Sequence, residues 1–287
     1  MNLRASIKPA AVIFLVLLAR EALYSSRAKA DDEQGTDIEE TMTATAKVAQ
    51  NIQAKLHPMF QLPISYNYNQ NRQPNQNYTQ AQLQAAPIIP FAKNSEYALL
   101  VSPIFTDNIN AQNQQTSNQA TPLQLSTFFA HKVSNFVYGI GPFIQMPTAN
   151  ISAGSQQTGL GVSYASFYEP KHWVIGGIAY NAWGVGQNRA AGTANVYFFN
   201  PSISYITDNA WMFSLQSWVN GNPTNGHSNN SNQLIISFGQ TYKLARSHVQ
   251  WQIGPTYMVT QTPASPQGWG GFLSLTFTFM REGYNGY

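Results

Sequence analysis

Hydrophobic and polar residues alternate along most of this chain. In HVQWQIGPTYMVTQ, His248 to Gln261, the residues Val249, Trp251, Ile253, Pro255, Tyr257 and Val259 hold every second position. Gln250, Gln252, Gly254, Thr256, Met258 and Thr260 sit between them. A period of two over a dozen residues predicts a β-strand with one apolar and one polar face. From Leu62 onward, twelve segments read as strands: about 62–69, 82–91, 96–107, 122–131, 135–146, 157–167, 172–184, 195–206, 210–220, 232–244, 248–260 and 269–280. Tight turns fall at 92–95, 132–134, 168–171, 207–209 and 245–247, and longer polar loops at 70–81, 108–121, 147–156, 185–194, 221–231 and 261–268. Five short turns alternating with six long loops predict an all-β fold, a 12-stranded antiparallel transmembrane β-barrel in up-and-down order, with both chain ends on the short-turn side.

The residues ahead of the barrel follow other patterns. Arg4 and Lys8 precede a short apolar run, Ala10 to Ala19, and Ala28-Lys29-Ala30 offers a small-x-small cleavage site, so residues 1–30 read as a signal peptide. The apolar run is about half the length that a membrane-spanning helix needs. Residues 31–61 read as a periplasmic leader. Its acidic start, DDEQGTDIEE, suits a helix N-terminus, and Ala44, Val48, Ile52 and Leu56 recur at helical spacing, which predicts one short amphipathic helix. These residues leave open whether the leader is solvated or plugs the barrel. Residues 62–280 are the barrel, and 281–287 a C-terminal tail.

Charge then changes the picture. Only 9% of the residues are charged, against about 25% in ordinary soluble domains, so an apolar solvent or a partner has to cover the outside. Residues 1–30 carry five of the 15 basic and one of the 12 acidic residues, leaving ten and eleven, so the apparent basicity belongs to the signal segment and gives nucleic acid no surface to bind. There is no cysteine, hence no disulfide framework or thiolate metal site. Lys93, Glu96, Lys132, Glu169, Lys171, Asp208, Lys243, Arg246, Arg281 and Glu282 gather at the short-turn end, while the mid-strands carry no charge. Aromatic residues bracket that gap: Tyr97, Phe136, Trp173, Tyr205, Trp211 and Tyr242 toward the turns, and Tyr68, Phe105, Trp183, Tyr257 and Trp269 toward the loops, as two interfacial girdles would. The apolar face is therefore expected to meet outer-membrane lipid, inserted by the barrel-insertion machinery. Pro103, Pro142 and Pro255 fall inside strands on that face, and Gly141-Pro142 and Gly254-Pro255 are expected to mark β-bulges.

APIIPF (Ala86–Phe91), GIGPFIQMPTA (Gly139–Ala149), WVIGGIAYNAWGVG (Trp173–Gly186), FFNPSISY (Phe198–Tyr205) and QIGPTYMV (Gln252–Val259) together resemble the Gram-negative outer-membrane family labelled phenol meta-pathway transporter. The resemblance covers roughly 62–280 and implies an outer-membrane barrel that passes small hydrophobic or aromatic compounds. It carries over no catalytic or binding residue.

The polar face gives the candidate lumen: Asn67, Gln124, Ser126, Gln145, Ser163, Asn200, Ser202, Ser204, Ser214, Gln216, Ser237, Thr241, Gln252, Thr256, Ser274 and Thr276, with Lys243 the only inward charge. Phe128, Phe143, Phe167 and Trp218 are inward aromatics placed to constrict the path or to stack on a solute. Both faces of 172–184 are apolar, so that strand yields no lumen residue. Neutral hydrogen-bonding side chains favour a small neutral or hydrophobic solute, with no cofactor and no metal. Three functions follow in order: a passive outer-membrane channel, a closed structural barrel acting through its Asn/Gln-rich external loops, and a lipase. The lipase rests on GHSNNSN (Gly226–Asn232), where His227 and Ser228 would point to opposite faces of an extended chain. His131, His172 and His248 read as rim residues on separate turns, and no paired carboxylates are available, so an enzyme is not expected.

Overall fold

The computed structural model describes residues 42–73, 76–93, 97–112, 115–120, 122–146, 158–185, 195–221, 231–245, 247–259 and 268–279. The expected signal peptide, the acidic stretch DDEQGTDIEE, most of the loops expected at 147–156, 185–194, 221–231 and 261–268, and the C-terminal tail lie outside the described residues. Helix α1 (Ala44–Ala54) is followed by strands only. These are β1 (Phe60–Gln73), β2 (Gln76–Ala85), β3 (Ile89–Lys93), β4 (Tyr97–Gln112), β5 (Gln115–Ala120), β6 (Leu123–Val133) and β7 (Phe136–Met146). Then come β8 (Thr158–Tyr168), β9 (Trp173–Val185), β10 (Val196–Ile206), β11 (Trp211–Gly221), β12 (Ser231–Leu244), β13 (Ser247–Met258) and β14 (Gly268–Phe279).

Every described pairing is antiparallel, most join sequence neighbours, and β1 closes on β14 from Phe60↔Phe279 to Asn69↔Gly270. The 14 strands make a closed 12-stranded barrel because two staves are each built from two strands. β2 pairs with the outer part of β4 and β3 with its inner part, from Ile89↔Val101 to Lys93↔Ala98. β5 and β6 divide the other edge of β4 in the same way. Pro87 and Pro122 stand at the two breaks, where a residue without an N–H cannot continue a ladder. Ile88 still bridges Gln61 across the first break, its N–H donating to the Gln61 carbonyl at 2.7 Å.

Two expected loops are strands. The stretches 70–81 and 108–121 form hairpins whose ladders run to Gln73↔Gln76 and Gln112↔Gln115, and β2 pairs with β4 as far out as Tyr78↔Gln112. A run of Asn and Gln has no alternation to read, whereas the ladder requires only backbone N–H and C=O groups in register. Four of the short turns lie where expected, each with a non-glycine residue at positive φ, Ser134, Lys171, Ala210 and Ala245, while half of the turn expected at 92–95 lies outside the described residues.

The expected bulges at Gly141-Pro142 and Gly254-Pro255 are absent. Ser126↔Phe143 and Phe129↔Ile140 keep one register across Pro142, as Ile235↔Thr256 and Phe238↔Ile253 do across Pro255; the one register shift among the described ladders lies between Pro90 and Ala92. Each proline holds its place on one side, Pro142 opposite Val162 and Pro255 opposite Gly271, and interrupts the ladder on the other. The glycine before each proline lets the facing carbonyl lean in. A Cβ on Gly141 would lie 2.2 Å from the Thr127 oxygen, and one on Gly254 1.8 Å from the Ile236 oxygen.

Register sets Thr127 opposite Pro142, so its carbonyl faces a residue with no N–H. The Ser163 hydroxyl, on the next strand, donates to that carbonyl at 2.8 Å. The same arrangement recurs at Pro201, which register sets opposite Ser217: the Asn200 amide donates to the Ser217 carbonyl at 3.0 Å. Inward polar side chains thus replace the donors that wall prolines lack. Outside, Ile140, Val162, Phe213, Leu215, Ile236 and Ile253 form an exposed apolar band, and Tyr97, Phe136, Trp173, Phe105, Trp183 and Trp269 are exposed above and below it.

Two expectations follow. Ser163→Ala leaves a buried carbonyl unmatched and should destabilise the barrel by about 1–3 kcal/mol in a urea titration, with Pro142→Val in the same background recovering part of the loss by restoring an N–H. An unchanged midpoint would mean that the hydroxyl does not patch the ladder. On β11, Leu215→Arg should impair folding into lipid vesicles by about 2–4 kcal/mol while Gln216→Arg is tolerated; equal effects would mean that the faces are exchanged.

Candidate functional site

The inner face holds all the side chains expected to line a lumen. Asn67, Ser126, Phe128, Phe143, Gln145, Ser163, Phe167, Asn200, Ser204, Ser214, Ser237, Thr241, Gln252, Thr256, Ser274 and Thr276 are buried there. Gln124, Ser202, Gln216 and Trp218 are half-buried on that face, and Lys243 is exposed at the short-turn rim. These residues do not form one uniform polar surface. They sort by height in the barrel.

At the short-turn end the inner wall is apolar. Leu100, Phe128, Ala130, Val137, Ala165, Phe167, Val174, Ile206 and Met212 form one cluster with Ala46, Ala49, Ala54 and Leu56 of the leader. Helix α1 is seated on this wall, and from Ala46 to Ala54 none of its residues is exposed. A helix buried all round is an enclosed helix rather than a surface one. Alanines at 46, 49 and 54 let its backbone approach the wall closely, and Gly139 leaves room for Leu56, whose Cδ2 would lie 3.4 Å from a Cβ placed there.

Both glutamines on the polar side of the helix are matched as well. The Gln50 amide donates to the carbonyls of Lys171 at 2.9 Å and Trp173 at 3.3 Å. Gln53 donates to Gln250 Oε1 at 2.7 Å and accepts from the Ser204 hydroxyl at 3.3 Å. Thr43 caps the N-terminus, its Oγ1 accepting from the Ala46 N–H at 3.1 Å and donating to the Asp208 carbonyl at 2.6 Å. The first turn contains no acidic residue, so the expected acidic opening of the helix is corrected to a threonine cap. Lys55 ends the helix at φ 57, and its N–H reaches the Asn51 carbonyl. From Ala46 to Ala54 the leader is therefore not the solvated segment that its composition allowed.

Beyond the helix the lumen carries amides, hydroxyls and rings. Gln252 donates to Gln250, and Gln250 to Thr241, each at 2.9 Å. Farther out, Asn67 and Gln233 exchange hydrogen bonds at 2.6 and 3.0 Å, and Gln233 and Thr256 both donate to Asn69. This network passes over Gly270, where a Cβ would lie 2.5 Å from the Asn69 oxygen. On the opposite wall Phe143, Tyr180 and Phe198 stack in a column with centroids 4.3 and 4.8 Å apart, and the Tyr180 hydroxyl donates to Gln124 at 3.0 Å. Gly161, the inward partner of Phe143, has no side chain to separate the first two rings. Trp218 meets Phe272 edge-on.

Several of these residues were not apparent in the sequence. Tyr180 lies on the strand whose two faces are both apolar, but its register partner Ser163 places it inward. Glu169, expected among the charges of the short-turn end, is buried and meets His57 Nε2 at 2.6 Å. Besides Lys243 at the rim, the helix brings two further cations, Lys47 and Lys55, whose pKa values burial pushes down. Burial likewise lowers the His57 pKa, against the hydrogen bond and charge of Glu169, while Lys132 and Lys47 add to the lowering. The rim histidines stay apart: His131 stacks on Tyr97, His172 Nδ1 lies 2.9 Å from the Ile206 carbonyl, and His248 is buried on β13. His227 and Ser228 lie outside the described residues.

No family model and no curated protein matches the chain. Among solved structures, the COG4313 outer membrane channel from Pseudomonas putida F1 is similar at a TM-score of 0.56 and 10% identity, over 85% of this chain and 99% of that one. The translocator domain of the autotransporter NalP from Neisseria meningitidis follows at 0.47 and 9%, over 95% and 98%, and the NanC porin at 0.44 and 11%, over 77% and 100%. At such identity, the likeness to the first structure establishes a fold: this chain is a β-barrel of the architecture found in an outer-membrane channel.

Proposed function

We propose that the protein is an outer-membrane channel for small uncharged or weakly hydrophobic molecules, aromatic ones included, shut at its short-turn end by its own leader helix. The observation that carries this reading is the seating of α1 against the inner wall, beneath a lumen of neutral amides, hydroxyls and stacked rings. An α-helix with its side chains is about 10–12 Å across. Eight-stranded barrels hold just their own side chains and barrels of sixteen or more strands hold open water channels, so a 12-stranded wall leaves space of about one helix. A wall meant only to be structural needs no separate helix to fill it. The lining hydrogen-bonds to itself without formal charge beyond the helix, which suits solutes that bring none.

The aromatic column supplies flat apolar surface, and Gln124 and Tyr180 supply polar edges beside it. The short turns are expected to face the periplasm and the hairpins the exterior. The resemblance to transporters of aromatic catabolism and the channel architecture of the similar solved structure both support this reading. A second reading, a closed barrel that works through its exterior, is favoured by the two projecting Asn/Gln-rich hairpins, β1–β2 and β4–β5.

Conductance of the full chain in planar bilayers separates the two. Ala49 is fully buried against the wall, so Ala49→Glu should unseat the helix and raise conductance well above that of the unaltered protein, with heat-modifiable gel mobility showing that the barrel still folds. Folded but silent Ala49→Glu channels would favour the closed barrel. Orientation is tested separately: an epitope inserted between Asn222 and His227 should be labelled on intact cells, and one between Ser134 and Asn135 only after permeabilisation. Reversed labelling would overturn the orientation.

A further inference from the structure

The segment that leaves the helix makes one contact of a different kind from the rest. His57 lies between α1 and β1, and Glu169 lies in the connection between β8 and β9. Both side chains are 1% exposed, and His57 Nε2 is 2.6 Å from Glu169 Oε1. The Glu169 N–H donates to the Asn135 carbonyl at 2.7 Å, so the carboxylate is anchored to the turn beside it. The contact therefore ties the leader to the wall at the mouth that the helix fills. Elsewhere the helix is held by alanines, leucine, amides and the Thr43 hydroxyl, and its other titratable groups are the cations Lys47 and Lys55.

Among the described residues, four ionisable groups meet at this point. Lys132 Nζ, at the end of β6, lies 3.9 Å from Glu169 Oε2, and Lys47 of the helix acts on both Glu169 and His57. With a neutral imidazole the cluster holds one carboxylate and two ammonium groups. A proton on His57 makes three cations beside one carboxylate among the described groups, with His57 and Glu169 closed to water. Glu169 favours that proton, whereas desolvation, Lys132 and Lys47 oppose it, and burial is the larger influence.

We infer that His57 is a proton-operated latch, which when neutral holds the helix in the barrel mouth and when protonated lets it leave, so that the channel opens as the pH falls. This regulation rests on the channel reading proposed above. The sign follows from the burial of His57 and the two lysines beside it, which together oppose its charge more than Glu169 favours it. In the seated helix, burial holds the His57 pKa below its ordinary value, and in a released leader it returns to about 6.5. The contribution of His57 to seating is therefore complete above about pH 6.5 and is lost as the pH falls toward the seated value. Each unit between the two values is worth about a tenfold change in the ratio of released to seated helix.

Planar-bilayer recordings of the full chain at about pH 7.5 and about pH 5 decide the matter, since they bracket the ordinary histidine value. The unaltered protein should be nearly silent at the higher pH, with open events rising severalfold at the lower. His57→Gln keeps an amide to donate to Glu169 but takes up no proton, so it should stay shut at both. Glu169→Ala removes the acceptor and should conduct at both. Gel mobility shows that each variant is folded. If Glu169→Ala conducts while the unaltered protein ignores pH, the latch is refuted and the channel stands. A pH response that survives in His57→Gln also refutes the latch, since another group must then titrate. Silence from every folded form, Ala49→Glu included, overturns both the channel and the latch.

Discussion

A chain that crosses a bilayer as strands has to pair every backbone N–H and C=O with another part of itself, because the hydrocarbon offers no water to replace a missing partner. Closure of β1 on β14 meets that demand around the circumference. The prolines put it at risk locally. Pro142, Pro201 and Pro255 each sit in a wall strand and interrupt the ladder on one side, while Pro103 faces the break between β2 and β3. Two of the exposed carbonyls receive a donor from inside the barrel, the Ser163 hydroxyl and the Asn200 amide. A polar lumen thus has a structural task before it has a transport task. Residues that look free to greet a solute are already committed to the wall.

The outer architecture was legible because one physical signal repeats along it. Alternation fixes which face meets apolar surroundings, and a slip of one residue would turn every strand inside out, so the pattern is under strong constraint. Strand number, short turns and inward parity all followed from it. The inside was less legible. Alternation shows that Phe128 and Phe167 point inward, yet not that they pack against a helix from another part of the chain. The charge pattern places Glu169 at the short-turn end, and only the course of the leader reveals that His57 arrives to meet it. The Asn/Gln hairpins escaped for the opposite reason: their ladders are made by backbone alone, and their side chains carry no period.

The leader turns a barrel of intermediate width into a filled one. Its sequence suits the task in a way that helical periodicity alone does not capture. Val48, Ile52 and Leu56 form the apolar stripe, but Gln50, Asn51 and Gln53 on the other side are enclosed too. Burying amides is costly unless they are paired. Here the wall pairs two of them, Gln50 with the carbonyls of Lys171 and Trp173 and Gln53 with Gln250 and Ser204. The helix therefore has one complementary seat and would lose several hydrogen bonds if it rotated by a turn.

Complementarity of this kind also limits how firmly the helix is held. Its amide contacts exchange for water when it leaves, so each contributes only about 0.5–1.5 kcal/mol net. Small alanines bury little area per residue, and an 11-residue helix is marginal outside its seat, which links release to unfolding of the segment. The seated state is then a balance of modest terms rather than a permanent lock. One buried contact whose charge can change is enough to tip such a balance, because a difference of 1.4 kcal/mol already moves a two-state population about tenfold. His57 and Glu169 occupy the place where that leverage is greatest, between the end of the helix and the first strand of the wall.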